Sequence, residues 1–215
     1  MKHAYGLNIP QSLEDVCTPE QMALLVYDMQ AGIVRQCLDA GRVTANVASV
    51  VTAARHGGFR VFFSRHLSLP NRSAGVSQLR TAMAWQRKDK AEDTKPAFPR
   101  DSLQAQIIPE VTPLESEVIF DKLGMSFFVG TPLEMALRDC GISAIAVMGV
   151  VLEVGIEPTI RHAADLGFLP ALVVDACGSV NEEARKRSLE SLSFAGATLV
   201  TESATICGLL ARGER

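Results

Sequence analysis

The sequence predicts an α/β fold, a doubly wound, six-stranded, mostly parallel sheet with helices on both faces. Short apolar runs, rich in β-branched and aromatic residues and without polar alternation, indicate strands that are covered on both faces. Helical patterns separate most of these runs, and the alternation of strand and helix is typical of parallel sheets with right-handed crossovers. The predicted strands are residues 23–27, 59–64, 117–121, 144–150, 171–175 and 197–201.

Helix start and stop signals delimit the segments between the strands. Thr131 is a predicted N-cap before Pro132, and Asn181 caps a helix that Gly196 ends. The strand order expected for this alternation is 3-2-1-4-5-6, with strands 1 and 4 adjacent at the switch point. The predicted helices are residues 42–56, 132–140, 155–166, 181–195 and 202–211.

Residues 67–113 interrupt the alternation and form a predicted long excursion between the second and third strands. The excursion holds five prolines, a charged run at 87–95 and the single tryptophan, Trp85. Connections of this length are usually lids, interfaces or mobile segments. The length of 215 residues fits one domain, predicted to span residues 1–215.

Composition excludes several classes of function. The net charge of −3 provides no basic surface for nucleic acid or membranes. The five cysteines are scattered, which indicates a reducing compartment, and without a signal peptide or an apolar span we expect a cytoplasmic protein. The four dispersed histidines predict no metal site, and the turn DMQAG after the first strand lacks the glycine pattern of dinucleotide binding. No cofactor is expected.

Polar residues follow the predicted strands at the edge where parallel sheets bind ligands. Asp28 ends the first strand, Arg65 and His66 follow the second, and Lys122 follows the third. A carboxylate and an ammonium that converge in one crevice can act as an acid–base pair. Either residue alone has an ordinary structural interpretation, Asp28 as a helix cap and Lys122 as a surface residue.

Four segments, ALLVYDMQ, VIFDKLGMSFFVGTPLEMALRDCGI, AVMGVVLEVGIEPTIRHAADLGF and ALVVDACGS, resemble the isochorismatase-like hydrolase family in order and spacing. The resemblance covers about residues 20–210. It implies that Asp28 and Lys122 fill two positions of an Asp-Lys-Cys triad. Gly155 stands where the nucleophilic cysteine is expected in a pattern like G-V-x-T-x-x-C-V, and Leu152 stands where the threonine is expected.

The glycine closes the thioester route that amidases of this family use. True isochorismatases resemble the amidases but carry glycine at this position, and they cleave a vinyl ether with a proton donor and water. The resemblance therefore implies acid–base hydrolysis, with Asp28 as the donor and Lys122 steadying negative charge. Predicted substrate-binding residues are Arg65, His66, Arg87 and Phe127, with Arg72 and Arg80 as further candidates for binding a carboxylate.

Two alternatives remain open on the sequence. In the first, the chain is a catalytically degenerate member that binds a small molecule, and in the second it is an amide hydrolase with an unrecognised nucleophile. Cys177 is the nearest thiol but is interpreted as a packing residue. The resemblance also implies a homodimer or homotetramer. Because Leu152 supplies no hydroxyl, a cysteine placed at position 155 is not expected to restore an amidase by itself.

Overall fold

Two short strands near the N-terminus pair as an antiparallel hairpin, and six further strands form one parallel sheet. The structure is a computed structural model that describes residues 1–212. The hairpin was not among the predicted elements. The strands are β1 (Lys2–Ala4), β2 (Leu7–Ile9), β3 (Met22–Tyr27), β4 (Arg60–His66), β5 (Val118–Lys122), β6 (Ala144–Val150), β7 (Leu169–Gly178) and β8 (Leu199–Thr201).

The sheet confirms the predicted fold class and strand order. Its strands lie in the order β5-β4-β3-β6-β7-β8, and every neighbouring pair is parallel. Every residue of β3 and β6 is buried, as expected for central strands with helices on both faces. The switch point therefore lies between the carboxyl ends of these two strands.

Helices cover both faces of the sheet. The longest, α2, packs on the sheet and on α7, and it buries Val43, Val47, Val50 and Val51 along one side. Right-handed crossovers place α2 and α5 on opposite faces, since one leads from β3 to β4 and the other from β6 to β7. The helices are α1 (Ala31–Val34), α2 (Ala40–His56), α3 (Val76–Gln86), α4 (Leu133–Asp139), α5 (Glu157–Asp165), α6 (Glu182–Ala195) and α7 (Ser203–Leu210).

The capping signals place α6 within one residue of its predicted bounds. The Asn181 side chain accepts a hydrogen bond from the N–H of Ala184 at 2.8 Å, and Gly196 ends the helix in the left-handed region. The predicted helix 155–166 differs more. A π-helical turn, Leu152–Ile156, precedes α5, so the chain becomes helical three residues earlier than predicted.

The excursion contains an unpredicted helix. Helix α3 buries none of its residues, and its Val76 and Trp85 side chains are exposed, so no apolar stripe marks it in the sequence. The buried side chain of Gln30 fastens the excursion to the sheet. Its amide nitrogen donates to the carbonyl oxygens of Ala105 and His66, and its oxygen accepts from the His66 N–H.

The single predicted domain includes residues 213–215, which lie outside the described residues, and its extent stays a prediction. The predicted homodimer or homotetramer also stays a prediction. Within residues 1–212, no helix is long and apolar enough to cross a membrane.

Gly149 allows the two central strands to approach each other. It has a φ of 120° and lies opposite Tyr27, and a Cβ at this position would overlap the Tyr27 backbone. We expect Gly149→Ala to lower the free energy of unfolding by at least about 3 kcal/mol, measured by urea denaturation. The matched control is Gly208→Ala in α7, where a Cβ meets no atom within 4 Å. The control should stabilise the protein by up to about 1 kcal/mol. Equal effects of the two substitutions would contradict the role of Gly149 in the close approach of the two strands.

Candidate active site

A cavity of about 570 Å³ opens at the switch point of the sheet. Asp28 at the end of β3 and His66 at the end of β4 line one side. Gly124 and Met125 after β5 and Gly155 in the π-helical turn line another, and α3 with other parts of the excursion closes over them. The excursion therefore forms a wall of this cavity. The volume suits a small organic molecule.

Asp28 is held in a defined orientation by Ser64. The Asp28 backbone has a φ of 44°, and its side chain is almost completely buried. The Ser64 hydroxyl accepts from the Asp28 N–H at 3.1 Å and donates to Oδ1 of the same residue at 2.6 Å. Because β4 lies beside β3, one serine on the neighbouring strand fixes both the backbone and the carboxylate of Asp28.

The structure brings Lys122 and Asp28 into direct contact. Lys122 Nζ donates to Asp28 Oδ2 at 2.7 Å, to the Tyr27 hydroxyl at 2.8 Å and to the carbonyl oxygen of Gly124 at 3.2 Å. Burial lowers the pKa of the Lys122 ammonium, and the Asp28 carboxylate opposes that shift. All three N–H groups of the ammonium have protein acceptors, so Lys122 orients Asp28 from behind the cavity wall.

Tyr27 is a site residue that the sequence analysis missed. Its hydroxyl donates to the carbonyl oxygen of Met125 and accepts from Lys122, and its ring packs edge-on against Phe127 with centroids 6.4 Å apart. Burial, followed by the Asp28 charge, raises the pKa of the phenol well above its usual value. The hydroxyl is therefore a neutral group. The sequence feature that could have revealed Tyr27 as a site residue is its side-chain hydroxyl at the end of an otherwise aliphatic strand.

Gly155 has no room for a side chain because Tyr27 occupies that space. A Cβ on Gly155 would overlap the hydroxyl, Cζ and Cε1 atoms of the Tyr27 phenol. The backbone N–H of Gly155 is also engaged, since it donates to the carbonyl oxygen of Val151 at 3.0 Å within the π-helical turn. The peptide bond between Val150 and Val151 is cis.

The other predicted site residues lie in different environments. His66 lines the cavity, whereas Arg65, on the opposite face of β4, forms a bidentate ion pair with Asp121 at 2.7 and 3.1 Å. Arg87 is exposed at the C-cap of α3 and outside the cavity lining. Phe127 and Leu152 are fully buried in the core and do not line the cavity. The predicted substrate-binding roles of Arg65, His66, Arg87 and Phe127, and the predicted place of Leu152 beside the nucleophile position, stay predictions.

The cysteines lie away from the cavity wall. None of the five is among the lining residues in the described part of the chain, and Cys177 is buried with its sulfur 3.9 Å from the carbonyl oxygen of Val147. Burial raises the pKa of the Cys177 thiol, which disfavours the nucleophilic thiolate. Residues 1–212 contain no group of three histidine, cysteine or carboxylate side chains arranged to hold a metal ion.

Comparison with known proteins assigns the family. A model of the isochorismatase domain matches residues 22–204. This chain belongs to the isochorismatase family. It is a family of isochorismatase-like hydrolases, and the matched range includes Asp28, Lys122 and Gly155.

Relatives of this isochorismatase-family protein align along most of its length. It is 27% identical over 171 residues to the isochorismatase family protein YwoC of Bacillus subtilis strain 168, covering 79% of this chain and 84% of YwoC. It is 24% identical over 209 residues to enterobactin synthase component B of Escherichia coli K12, covering 93% of this chain and 69% of the relative.

Solved structures show the same fold at low identity. A cysteine hydrolase from Pseudomonas syringae pv. phaseolicola 1448A superposes with a TM-score of 0.76 at 21% identity, covering 91% of this chain and 95% of the other. N-carbamoylsarcosine amidase from Thermoplasma acidophilum superposes with a TM-score of 0.68 at 18% identity, covering 85% and 96%.

A double-mutant cycle tests the competition between Tyr27 and position 155 for one space. Gly155→Ala should lower the free energy of unfolding by at least about 2 kcal/mol, because the added methyl overlaps the phenol. In a Tyr27→Val background the same change should cost at least about 1 kcal/mol less. Tyr27→Phe should reduce the cost of Gly155→Ala less than Tyr27→Val does, since the Cζ and Cε1 atoms of the ring remain in place. Urea denaturation of the single and double variants measures the coupling.

Gly41→Ala, where the new Cβ meets no atom within 4 Å, is the control and should show no coupling to Tyr27. Additive effects at positions 27 and 155 would contradict the shared space.

The environment of His66 predicts a pH-dependent stability. Burial, followed by the positive charge of Lys122, lowers the pKa of His66 from 6.5 to about 4. The unfolded chain therefore binds this proton first as the pH falls, and stability that is present above pH 6.5 is lost towards pH 4. When the pH falls from 7.5 to 5, we expect the free energy of unfolding of wild type to fall by about 1–2 kcal/mol more than that of His66→Gln, as measured by urea denaturation. Equal losses would mean that His66 does not titrate in this way.

Proposed function

We propose that this protein hydrolyses a small molecule by acid–base catalysis, without a covalent intermediate, and that Asp28 is the proton donor. The Tyr27 phenol carries this proposal, because it fills the space that a side chain at position 155 would need. A nucleophile at that position is incompatible with Tyr27. Asp28 and His66 both line this side of the cavity, and the Asp28 carboxyl is the group that Lys122 and Ser64 hold in a fixed orientation.

A vinyl ether or a related substrate suits this arrangement. A proton moves from the Asp28 carboxylic acid to the vinyl carbon, and the ether oxygen then shares the positive charge of an oxocarbenium ion. Water adds to this ion, and the resulting hemiketal collapses to an alcohol and a ketone while a proton returns to Asp28. The carboxylate left after the first step lies next to the cation and stabilises it.

Lys122 supports the proton transfer by contacting Asp28 from behind the cavity wall. Its ammonium contacts Asp28 Oδ2 at 2.7 Å, and burial lowers the pKa of the ammonium, so Lys122 passes a proton to its partner more readily than an exposed lysine would. Ser64 keeps Oδ1 in place during the transfer. Lys122 and Ser64 are positioning residues in this proposal, since both act through Asp28.

A ligand-binding protein without turnover is the second candidate. It is favoured by the hydrogen bonds of Lys122, whose three N–H groups already have acceptors within the protein. A buried ion pair of this kind can persist for structural reasons alone. Turnover therefore decides between the two functions.

Asp28→Asn tests the proton donor. Purified protein is assayed by mass spectrometry against isochorismate, simple vinyl ethers, nicotinamide and N-carbamoyl amides. For whichever compound wild type hydrolyses, the variant should lose at least about 100-fold in kcat/KM. In D2O, a vinyl ether substrate should yield a ketone with one carbon-bound deuterium, and ketone incubated with the enzyme corrects for exchange. Unchanged turnover by Asp28→Asn would contradict the proposal.

Two controls separate chemistry from folding. Asp28→Asn leaves the Lys122 charge buried without its partner, so the double variant Asp28→Asn, Lys122→Met is needed as a folded reference that lacks both charges. It should melt cooperatively and remain inactive. Iodoacetamide should leave wild-type turnover intact. Rapid inactivation with modification mapped to Cys177 would instead favour an amide hydrolase that uses this thiol.

A further inference from the structure

The cavity wall carries little positive charge. Among the described residues that line it, Asp28, His66, Lys95 and Tyr27 are the ionisable ones, and no arginine is present. Lys95 is exposed, so its ammonium is solvated at the mouth. Arg65, expected to bind a substrate carboxylate, is paired with Asp121 outside this lining. Arg72, Arg80 and Arg87 are also exposed and outside the lining.

The charges near the reacting group sum to zero. Lys122 neutralises Asp28 at 2.7 Å, and the lowered pKa of about 4 keeps His66 uncharged at neutral pH. Among the described lining residues, the Lys95 ammonium lies at the exposed mouth, so a substrate carboxylate bound beside Asp28 would have no free cation next to it. An unpaired buried charge is strongly disfavoured, so the wall selects against anions.

Neutral polar groups replace the missing cations. Gln36, Asn71, Gln78 and Gln86 bring side-chain amides to the cavity lining. Three of these amides already hydrogen-bond to the protein, namely Gln36 to the Gly32 carbonyl, Asn71 to the Thr94 carbonyl and Gln86 to the Lys95 backbone. Gln78 differs. Its Oε1 atom is buried and has no partner within residues 1–212.

His66, at the end of β4, provides a second unsatisfied atom among the lining residues. Its Nδ1 is buried without a hydrogen-bond partner in the described part of the chain. Buried polar atoms normally have partners, because leaving one unpaired costs about 1–3 kcal/mol. Gln78 Oε1 and His66 Nδ1 are thus two polar atoms whose hydrogen-bonding capacity the described residues leave unused, and a rotation of either side chain would bring its atom to the cavity.

We infer that the substrate is uncharged, with an apolar body and an amide-like or hydroxyl group that donates a hydrogen bond to Gln78 Oε1. This inference rests on the proposed function for the assignment of the cavity as the substrate site. Gln78 and His66 are then specificity-determining residues. Dicarboxylates are excluded as good substrates, and the neutral amides and esters of such acids become the preferred class.

Matched ligand pairs test the charge preference. Small aromatic and enol-ether carboxylic acids are compared with their primary amides and methyl esters at pH 7.5, and binding is measured by isothermal titration calorimetry. The amides should bind at least tenfold more tightly than the acids that share their skeleton. Tighter binding of the acids, or no binding of any neutral member at millimolar concentration, would overturn the inference.

Variants at Gln78 test the residue assignment. Gln78→Leu removes the acceptor at similar volume and should weaken amide binding at least fivefold, while leaving acid binding unchanged. Gln78→Arg adds a cation to the wall and should shift the preference towards acids. Gln104→Leu is the matched control, because Gln104 is exposed and outside the cavity lining. Equal effects of Gln78→Leu and Gln104→Leu on amide binding would contradict the assignment of Gln78 to the binding site.

The binding test of substrate charge and the turnover test of Asp28 can fail independently of each other. Binding needs no turnover, so a preference for neutral ligands would stand even if Asp28→Asn left turnover unchanged. Conversely, hydrolysis of isochorismate, a dicarboxylate, with dependence on Asp28 would support acid–base catalysis and overturn the inference of an uncharged substrate.

Discussion

The buried ion pair between Lys122 and Asp28 organises the site. These residues end β5 and β3, which are not neighbours, because β4 lies between them. The 2.7 Å contact spans β4, and Ser64 of that strand bonds the other carboxylate oxygen. Removing two charges from water is unfavourable, and it is offset here because the ammonium has an acceptor for each of its N–H groups. Three strand ends are thereby held in one geometry.

The Tyr27 phenol occupies the space beside Gly155, and this contact links β3 to the π-helical turn after β6. A phenol at position 27 requires glycine at position 155, since a Cβ there would overlap the ring and its hydroxyl. Glycine at position 155 is therefore required by the packing of the Tyr27 phenol. This packing also supplies a steric reason, beside that offered by Leu152, why a cysteine introduced at position 155 alone is not expected to restore an amidase.

The core strands could be predicted from the sequence, whereas parts of the site could not. The run 144–150 matches β6 because a strand buried on both faces has a continuous apolar sequence. Helix α3 has no fully buried residue, so its sequence lacks the periodic signal that identifies a helix. In the sequence, Tyr27 is only the last residue of the predicted strand 23–27, because its role depends on contacts with Lys122 and Met125 that are distant in sequence. Strand alternation separates Arg65 from Ser64 and His66, a distinction that residue type alone does not reveal.

Helix α3 forms part of the cavity wall but contributes no residue to the hydrophobic core. Substitutions on its inner side therefore alter the wall while the sheet and the Asp28–Lys122 pair keep their packing. Most proteins face a trade-off between new specificity and retained stability. In this chain the two properties reside in different segments, so libraries confined to α3 offer a route by which laboratory evolution can diversify ligand choice on an unchanged scaffold.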